Sequence, residues 1–259
     1  MNVPRVLIIS ALDPSGGAGM LMDLRAVRGA GAEGVAAVAA ITVQGPRGVR
    51  AVHPVSDVIL IAQIETLVDE LSIGAIKIGA LGAAENIRAV SAFLHSHPQL
   101  PVVLDPVLKP THGVDLMPRD ALVELRRGLL EVATVVTPNK DEAGTLTGIE
   151  VSDVKSMRKA AKQLLSMMGP DGDHWVLVKG GHLAGDPVDM LMGRSKSHTY
   201  HGKRRPGEYR GTGCALASAI AAGLALGMDV PQAVTKARRL LLKWMDQAEP
   251  RQEPKHLRP

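Results

Sequence analysis

Apolar residues along the chain recur with two different periods, and the alternation of these periods predicts strands and helices in turn. Short runs rich in Val, Ile and Leu that end at Gly or Pro are typical of buried strands. Longer stretches with apolar residues three or four positions apart are typical of helices that cover a core. The predicted strands are residues 5–10, 34–44, 75–81, 101–107, 133–139, 174–181, 189–193 and 197–202. The predicted helices are residues 20–31, 56–70, 84–97, 117–130, 140–148, 152–169, 209–227 and 231–247.

This alternation predicts an α/β fold in which a mainly parallel sheet is covered by helices on both faces. No Ser- or Pro-rich linker and no repeat interrupts the pattern, so we expect a single domain over residues 1–247. From residue 248 the sequence turns polar and proline-rich, and we expect a loose tail over residues 248–259. Ligands of such folds bind at the carboxyl ends of the strands, so the residues that follow predicted strands are the first candidates for a site.

Composition narrows the class of protein. Hydrophobic residues make up 46% of the 259 positions and charged residues 22%, an ordinary balance for a soluble globular protein. The net charge of +4 comes without a basic arm, so we expect no nucleic-acid partner. The one cysteine fits a reducing compartment, and neither a signal-peptide pattern nor an apolar stretch of membrane-spanning length is present. We therefore expect a cytoplasmic protein without a membrane association.

The stretch "DPSGGAG", residues 13–19, follows the first predicted strand and opens the first predicted helix. Its glycines permit close approach of the backbone to a ligand, and the helix start offers unpaired N–H groups. A tight turn between strand and helix is the structural alternative. The stretch "GAGAEG", residues 29–34, matches a dinucleotide-binding pattern, but it follows a helix and precedes a strand, so we interpret it as chance.

Polar residues follow three further strands. Asp105 could balance a cationic group or bind a metal near a polyphosphate. Asn139 and Glu142 lie three positions apart, on one helical face, and could hold Mg²⁺ through water; equally, they could simply form the start of a helix. Lys179, with Gly181 close behind, could bind phosphate, although a solvated lysine at a strand end is the commoner case.

The stretch "GTGC", Gly211 to Cys214, places successive N–H groups at the start of a predicted helix. Such a start is an anion site, and its field is expected to lower the pKa of a thiol. A thiolate within reach of a hydroxyl can act as its general base. A buried cysteine that serves as a small apolar residue is the alternative.

Seven motifs in this order resemble the hydroxymethylpyrimidine and phosphomethylpyrimidine kinases, members of the ribokinase-like superfamily close to pyridoxal kinases. The resemblance runs from Val6 to about Leu241 and implies a three-layer α/β/α sandwich. The seven motifs are "DPSGGAGMLMDL", "AAVAAITVQ", "IKIGALG", "VVLDPV", "VVTPNKDEAGTLTG", "WVLVKGGHL" and "GTGCALASAIAAGLALG".

The resemblance implies ATP- and Mg²⁺-dependent phosphorylation of hydroxymethylpyrimidine, its monophosphate, or both, in thiamine biosynthesis. It implies a nucleotide and magnesium side with Asn139, Glu142, Lys179 and Gly181. Gly211, Thr212 and Gly213 match the family's anion hole, and Cys214 matches its proposed base. The residues matched to the substrate pocket are Gln44, Asp13, Gly17, Ala18, Gly19, Ala80 and Val107.

Several positions depart from the family pattern, mostly on the substrate side. The departures are Ser10, Ala11 and Leu12 before the loop, Gly45 and Pro46 after Gln44, Ala80 for a methionine, Thr111 for a lysine, and Arg210 for a histidine. The usual C-terminal ending is also missing. These departures keep two alternatives open: a pyridoxal kinase, and a non-catalytic regulator that binds a pyrimidine. Members of the family are often dimers, so we expect a homodimer with a small-molecule substrate.

Overall fold

The structure is a computed structural model that describes residues 3–110, 112–118, 120–181, 185–248, 255–257 and 259. Within these residues one nine-stranded sheet has the order β3-β2-β1-β4-β5-β6-β7-β8-β9. Its strands are β1 (Arg5–Leu12), β2 (Glu33–Gly45), β3 (Gly48–Pro54), β4 (Ile73–Ile78), β5 (Val102–Leu104), β6 (Val135–Val136), β7 (Trp175–Val178), β8 (Val188–Gly193) and β9 (Ser197–His201). Strands β2, β1, β4, β5, β6 and β7 run parallel, whereas β3 and β8 are antiparallel to their neighbours.

Helices cover both faces of this sheet. They are α1 (Gly19–Gly29), α2 (Asp57–Glu70), α3 (Ala84–His95), α4 (Ala121–Glu124), α5 (Leu130–Val132), α6 (Lys140–Thr147), α7 (Val154–Met167), α8 (Thr212–Ala225) and α9 (Val230–Asp246). A π-helical turn, Leu125–Leu129, joins α4 to α5. Helices α1, α8 and α9 pack on one face, and the other helices pack on the opposite face. The predicted three-layer α/β/α sandwich is therefore confirmed.

Strand β1 illustrates why its sequence is apolar without a break. Leu7 and Ile9 contact the helices of one face, and Val6 and Ile8 contact those of the other. All four side chains are inaccessible to solvent. A parallel strand buried on both faces needs such a continuous run, because successive side chains point to opposite layers.

Three strands are absent from the sequence prediction. Strand β3 is an edge strand whose residues are mostly exposed or half-buried, so it carries little apolar signal. Strand β10 (Tyr209–Arg210) pairs in parallel with β11 (Lys255–His256), and Leu257 is buried in the core beside α9. For these residues the structure places a paired strand where the sequence analysis expected a loose end.

The order of the strands reverses beside β1. The chain leaves β1 for β2 on one side and returns to β4 on the other side. Such a switch point opens a crevice at the carboxyl ends of the two strands, where open α/β sheets bind their ligands. The segments that follow β1 and β4 therefore lie at the place expected for a site.

Candidate active site

The glycine-rich loop after β1 is held in shape by the carboxylate of Asp13. The Asp13 Oδ1 atom accepts hydrogen bonds from the backbone N–H of Ser15 at 2.9 Å and from the Ser15 hydroxyl at 2.7 Å. The Oδ2 atom accepts from the N–H of Ala18 at 3.0 Å. Gly19 has a φ of +55°, and a Cβ there would lie 2.5 Å from the carbonyl oxygen of Ala11. The buried carboxylate of Asp13 thus holds the loop in one conformation through these hydrogen bonds.

Arg210 ties this loop to the strand that precedes α8. Its Nη2 atom lies 3.2 Å from the Asp13 Oδ2 atom, and its Nη1 atom donates to the Ser15 hydroxyl at 3.3 Å. The departure from the family's histidine at this position therefore introduces a guanidinium that bridges two residues of the loop. Sequence reasoning singled out Arg210 only as a departure, because its partner Asp13 lies 197 positions away along the chain.

The start of α8 faces the same loop. Gly211 has a φ of +73°, and a Cβ there would collide with the carbonyl oxygen of Gly17. Only glycine permits this approach. The N–H groups of Thr212, Gly213 and Cys214 lie in the first turn, where no intrahelical acceptor exists, and no side chain caps the helix. The loop and the helix start together form a surface rich in backbone donors, which suits an anion.

Asp105 and Lys179 form an ion pair beside this helix start. The Lys179 Nζ atom lies 2.9 Å from the Asp105 Oδ1 atom, which also accepts from the Thr137 hydroxyl at 3.0 Å. A Cβ on Gly213 would lie 3.1 Å from the Lys179 Nζ atom, so the ammonium group reaches the first turn of α8. Burial raises the pKa of Asp105, but Lys179 and Lys77 outweigh burial and hold that pKa below its ordinary value. Of the two alternatives for Asp105, the structure favours the balancing of a cationic group.

Asn139 and Glu142 form the start of α6 as a reciprocal capping box. The Asn139 side chain accepts from the N–H of Glu142 at 2.9 Å, and the Glu142 Oε2 atom accepts from the N–H of Asn139 at 2.7 Å. Asn139 also lies beside Lys179 in an isolated parallel bridge. Burial raises the pKa of Glu142 to about 7, although Lys179 opposes this shift. The helix-start interpretation is therefore confirmed, and Glu142 carries in addition a carboxyl group that titrates near neutrality.

The thiol of Cys214 is not activated in the way that the sequence analysis expected. Cys214 keeps some exposed surface, yet burial of the thiol raises its pKa to about 12. Lys77 and a hydrogen bond from the N–H of Gly19 lower the pKa, whereas Asp23 and Asp105 raise it. The expectation that the helix start lowers the pKa below that of an ordinary thiol is wrong, because desolvation outweighs the helix field.

A fully buried ion pair beneath Cys214 is a feature that sequence reasoning missed. The Lys77 Nζ atom lies 2.7 Å from the Asp23 Oδ2 atom, and both side chains are inaccessible to solvent. The Asp23 Oδ1 atom accepts from the Ser218 hydroxyl at 2.8 Å. A lysine inside the apolar run of β4 is the sequence signal that could have indicated this pair, because Lys is almost never buried without a partner.

Ala80 and Val107 meet in a small apolar cluster at the same edge of the sheet. Ala80 packs there with Ala11, Val49 and Leu116, and Val107 packs against the cluster. Gln44 is half-buried at the end of β2, where its Oε1 atom accepts from the Thr42 hydroxyl at 3.1 Å. Gln44 pairs with Val49 of this cluster, so the three predicted residues lie at one end of the sheet.

The segment 112–114 crosses the end of the β2–β3 hairpin through backbone contacts. The N–H of Val49 donates to the carbonyl of His112, and the N–H of Val114 donates to the carbonyl of Val49, each at 3.0 Å. A Cβ on Gly48 would lie 2.6 Å from the carbonyl oxygen of His112. Thr111, the departure that directly precedes this segment, lies outside the described residues.

Gly181 stands apart from the other predicted residues on the nucleotide side. It is exposed, its carbonyl accepts from Arg204 at 3.1 Å, and nothing lies within 4 Å of a Cβ built on it. Within the described residues, no three His, Cys, Asp or Glu side chains lie close enough to hold a metal ion by themselves. No helix in the described part of the chain is long and apolar enough to cross a membrane.

The fold and this arrangement of donors at the sheet edge define a phosphotransferase of the ribokinase-like class. The sequence model of the phosphomethylpyrimidine kinase family matches residues 13–255, and the chain belongs to that family. A hydroxymethylpyrimidine/phosphomethylpyrimidine kinase of Streptomyces coelicolor is 41% identical over 236 residues, which cover 91% of this chain and 86% of that protein.

Two solved structures are similar over almost the whole chain. The phosphomethylpyrimidine kinase from Clostridium difficile 630 has a TM-score of 0.81 at 32% identity, covering 94% of this chain and 100% of that one. The pyridoxal kinase from Staphylococcus aureus in complex with AMP-PCP and pyridoxal has a TM-score of 0.85 at 26% identity, covering 99% of this chain and 93% of that one. The predicted kinase class and ribokinase-like fold are therefore confirmed.

Proposed function

We propose that the protein transfers phosphate from ATP to hydroxymethylpyrimidine, to its monophosphate, or to both, in thiamine biosynthesis. The observation that carries this proposal is the pairing of the glycine-rich loop with the start of α8, where Gly211 lies against the carbonyl of Gly17. In this arrangement the backbone donors of the α8 start and the Lys179 ammonium group lie close to one another. The identity to relatives named for this reaction supports the choice of substrate.

In this proposal the donors stabilise the phosphoryl group and Cys214 moves a proton. The N–H groups of Thr212 and Gly213 and the ammonium group of Lys179 bind the phosphoryl oxygens, a contribution that dominates catalysis of phosphoryl transfer. The sulfur of Cys214, as thiolate, accepts the proton of the substrate hydroxyl. The hydroxyl oxygen bonds to the phosphorus while the bond from phosphorus to the leaving ADP oxygen breaks.

Glu142 is the residue that best fits a magnesium site. Burial raises the pKa of its carboxyl group to about 7 although Lys179 opposes this shift, and Glu142 lies on the same edge as the phosphate donors. Mg²⁺ usually keeps several waters and takes few carboxylates when phosphates supply other ligands. Bound there, the ion would neutralise charge that develops on the phosphates. Asp105 fits less well, since Lys179 and Thr137 already occupy its Oδ1 atom.

The wall of Gln44, Ala80 and Val107 is the proposed acceptor side. The amide of Gln44 can pair with a ring nitrogen and an amino group together, which suits an aminopyrimidine. Ala80 and Val107 offer apolar contact to the ring. Arg210 and Asp13 hold the opposite loop in place over this acceptor. We further propose that the enzyme acts in the cytoplasm as a homodimer built from one domain over residues 1–247.

Pyridoxal is a second candidate acceptor, because the likeness to a pyridoxal kinase bound to pyridoxal is as strong in fold as the likeness to a phosphomethylpyrimidine kinase. A panel assay decides between them: purified protein, Mg²⁺-ATP, and hydroxymethylpyrimidine, its monophosphate or pyridoxal, with ADP release and product mass as readouts. We expect the highest kcat/KM with a pyrimidine. Faster turnover of pyridoxal at equal concentration would reverse the assignment, and no product with any alcohol would favour a non-catalytic regulator.

Magnesium is expected to stabilise the protein more at pH 8 than at pH 6. The folded protein binds a proton at Glu142 up to about pH 7, whereas the unfolded chain releases it near 4.5. The contribution of Glu142 to the free energy of unfolding therefore falls as the pH rises from 4.5 to 7, and above pH 7 the carboxylate is available to a cation. At saturating Mg²⁺ we expect a rise in Tm of about 2–4 °C at pH 8 and a smaller rise at pH 6.

The matched variants for this measurement are Glu142→Gln and Glu150→Gln. The amide that Glu142→Gln introduces keeps an oxygen that can accept from the N–H of Asn139, so the cap is retained while the charge is removed. Glu150 is exposed beyond the end of α6 and serves as the control. Glu142→Gln should abolish the pH dependence of the magnesium effect, and an equal effect in both variants would remove Glu142 from the proposed site.

A further inference from the structure

The buried pair of Lys77 and Asp23 connects the core of the sheet to the thiol of Cys214. Gly19 and Asp23 lie four residues apart on α1, and Cys214 and Ser218 lie four residues apart on α8, so each pair shares one helix face. The N–H of Gly19 donates to the sulfur of Cys214, and the hydroxyl of Ser218 donates to Asp23. The two helices therefore meet at two levels, with the thiol at the upper level and the ion pair at the lower one.

The ammonium group of Lys77 extends from β4 toward the carboxyl edge of the sheet. A Cβ built on Gly79 would lie 2.8 Å from the Lys77 Nζ atom and would collide with the Ser10 hydroxyl. The glycine after β4 thus leaves the space that the ammonium group occupies. Burial lowers the pKa of Lys77, but Asp23, Cys214 and Asp105 outweigh burial, so the pKa lies above its ordinary value and the group stays charged.

The ionised form of the pair agrees with its hydrogen bonds. Burial raises the pKa of Asp23, against the opposing effect of Lys77. We nevertheless assign a carboxylate, because one oxygen accepts from an ammonium group at 2.7 Å and the other from a hydroxyl at 2.8 Å. A buried pair of this kind is a poor source of stability, since apolar residues of similar volume often replace it without loss. The ion pair lies beside the thiol of Cys214, and this position indicates a role other than stabilising the fold.

We propose that Lys77 is a positioning residue that stabilises the thiolate form of Cys214, and that Asp23 balances the charge of the buried ammonium group while its own charge opposes the thiolate. The charged groups that face the sulfur are Lys77 from β4, Asp23 from α1, Asp105 after β5 and Lys179 after β7. Lys77 is the cation of the ion pair that Ser218, one helical turn from Cys214, contacts through Asp23. Its charge favours the thiolate more than the charge of Asp23 opposes it. The significance for catalysis rests on the proposed role of Cys214 as base.

The reactivity of Cys214 tests this inference without turnover, because Cys214 is the one cysteine of the chain. The rate of alkylation by iodoacetamide is measured from pH 7 to 10 in the wild type and the variants. Lys77→Met should slow alkylation at least about tenfold at pH 9, since a nearby opposite charge lowers a pKa by about 1–3 units. Asp23→Asn should speed it, because a negative neighbour is lost. Lys196→Met, on the exposed β8–β9 turn, is the matched control and should react as the wild type.

Either single variant leaves one buried charge without its partner and could therefore unfold. The double variant Lys77→Met/Asp23→Leu removes both charges and avoids this problem. Its alkylation rate should be about one third of the wild-type rate or lower, since the loss of Lys77 outweighs the loss of Asp23. A double variant that reacts as the wild type at every pH overturns the inference. So does an Asp23→Asn variant that slows together with Lys77→Met, because a merely structural role predicts one direction for both.

Activity separates this inference from the proposed function. With the double variant we expect a lower kcat and an unchanged KM for ATP, since neither Lys77 nor Asp23 is among the proposed phosphate donors. If alkylation slows as expected while kcat is unchanged, Lys77 still controls the thiol, and the role of Cys214 as base is the part that fails.

Discussion

Replacement of Cys214 by alanine is expected to lower kcat by about 10²–10⁴-fold, the range of a lost general base. The Kd for ATP should stay nearly unchanged, because the anion donors of the α8 start are backbone groups that the variant keeps. Steady-state kinetics and calorimetry with Mg²⁺-ATP measure the two quantities. Cys214→Ser serves as the control of similar volume and should be almost as slow, since a serine hydroxyl ionises far less readily than a thiol and supplies no anionic base.

The pH profile adds an independent check on the role of Cys214. A thiol with a pKa of about 12 is protonated at neutral pH, and its thiolate fraction rises tenfold with each pH unit. In the wild type kcat/KM should therefore keep rising between pH 8 and 9, after Glu142 has lost its proton. Cys214→Ala should lose this slope. An unaltered kcat or an unaltered slope would return Cys214 to the role of a small apolar residue.

Replacement of Lys179 by methionine is expected to lower kcat by about 10²–10³-fold, the usual loss for one donor to a developing negative charge. The single variant also leaves the buried carboxylate of Asp105 without its partner, which destabilises the fold. The double variant Lys179→Met/Asp105→Asn removes this second effect. We expect the double variant to regain Tm but not kcat.

The outcome that contradicts this role is a double variant with the rate of the wild type. Such a result would make the pair purely structural and would leave phosphate binding to the backbone donors alone. Lys196→Met again provides the surface control, as its side chain is exposed and remote in sequence from each strand end of the site.

The fold could be predicted from the sequence because its signals are local. The apolar run of β1 and the cap at Ser56, whose hydroxyl accepts from the N–H of Ile59, are properties of a few adjacent residues. The edge strand β3 gave no such signal, because its polar and half-buried residues satisfy both a strand and a loop. The pairing of β10 with β11 depends on chain segments that meet only in the folded protein.

The candidate site could be predicted in part. Residues such as Asp105 and Lys179 were found because each follows a strand, and parallel strands bring their carboxyl ends together. Three features required the structure: the ion pair of Lys77, the bridge from Arg210 to the loop, and the desolvation of Cys214. Each feature depends on groups that are distant in sequence and become neighbours only in the folded protein. For Cys214, burial by such neighbours decides that the pKa of the thiol rises.

The hairpin of β2 and β3 is joined to segment 112–114, whereas the proposed phosphate donors lie on other segments of the chain. The residues that select the acceptor can therefore change without altering those that bind phosphate. Gly48, Val49 and Gly113 are joined through main-chain atoms, so the side chains nearby are free to change without loosening the wall. Gly45, the last residue of β2, and Pro46, in the turn that follows, depart from the family pattern and belong to that same hairpin. A laboratory evolution campaign aimed at a new acceptor alcohol should therefore randomise this hairpin and leave the glycine-rich loop and the start of α8 untouched.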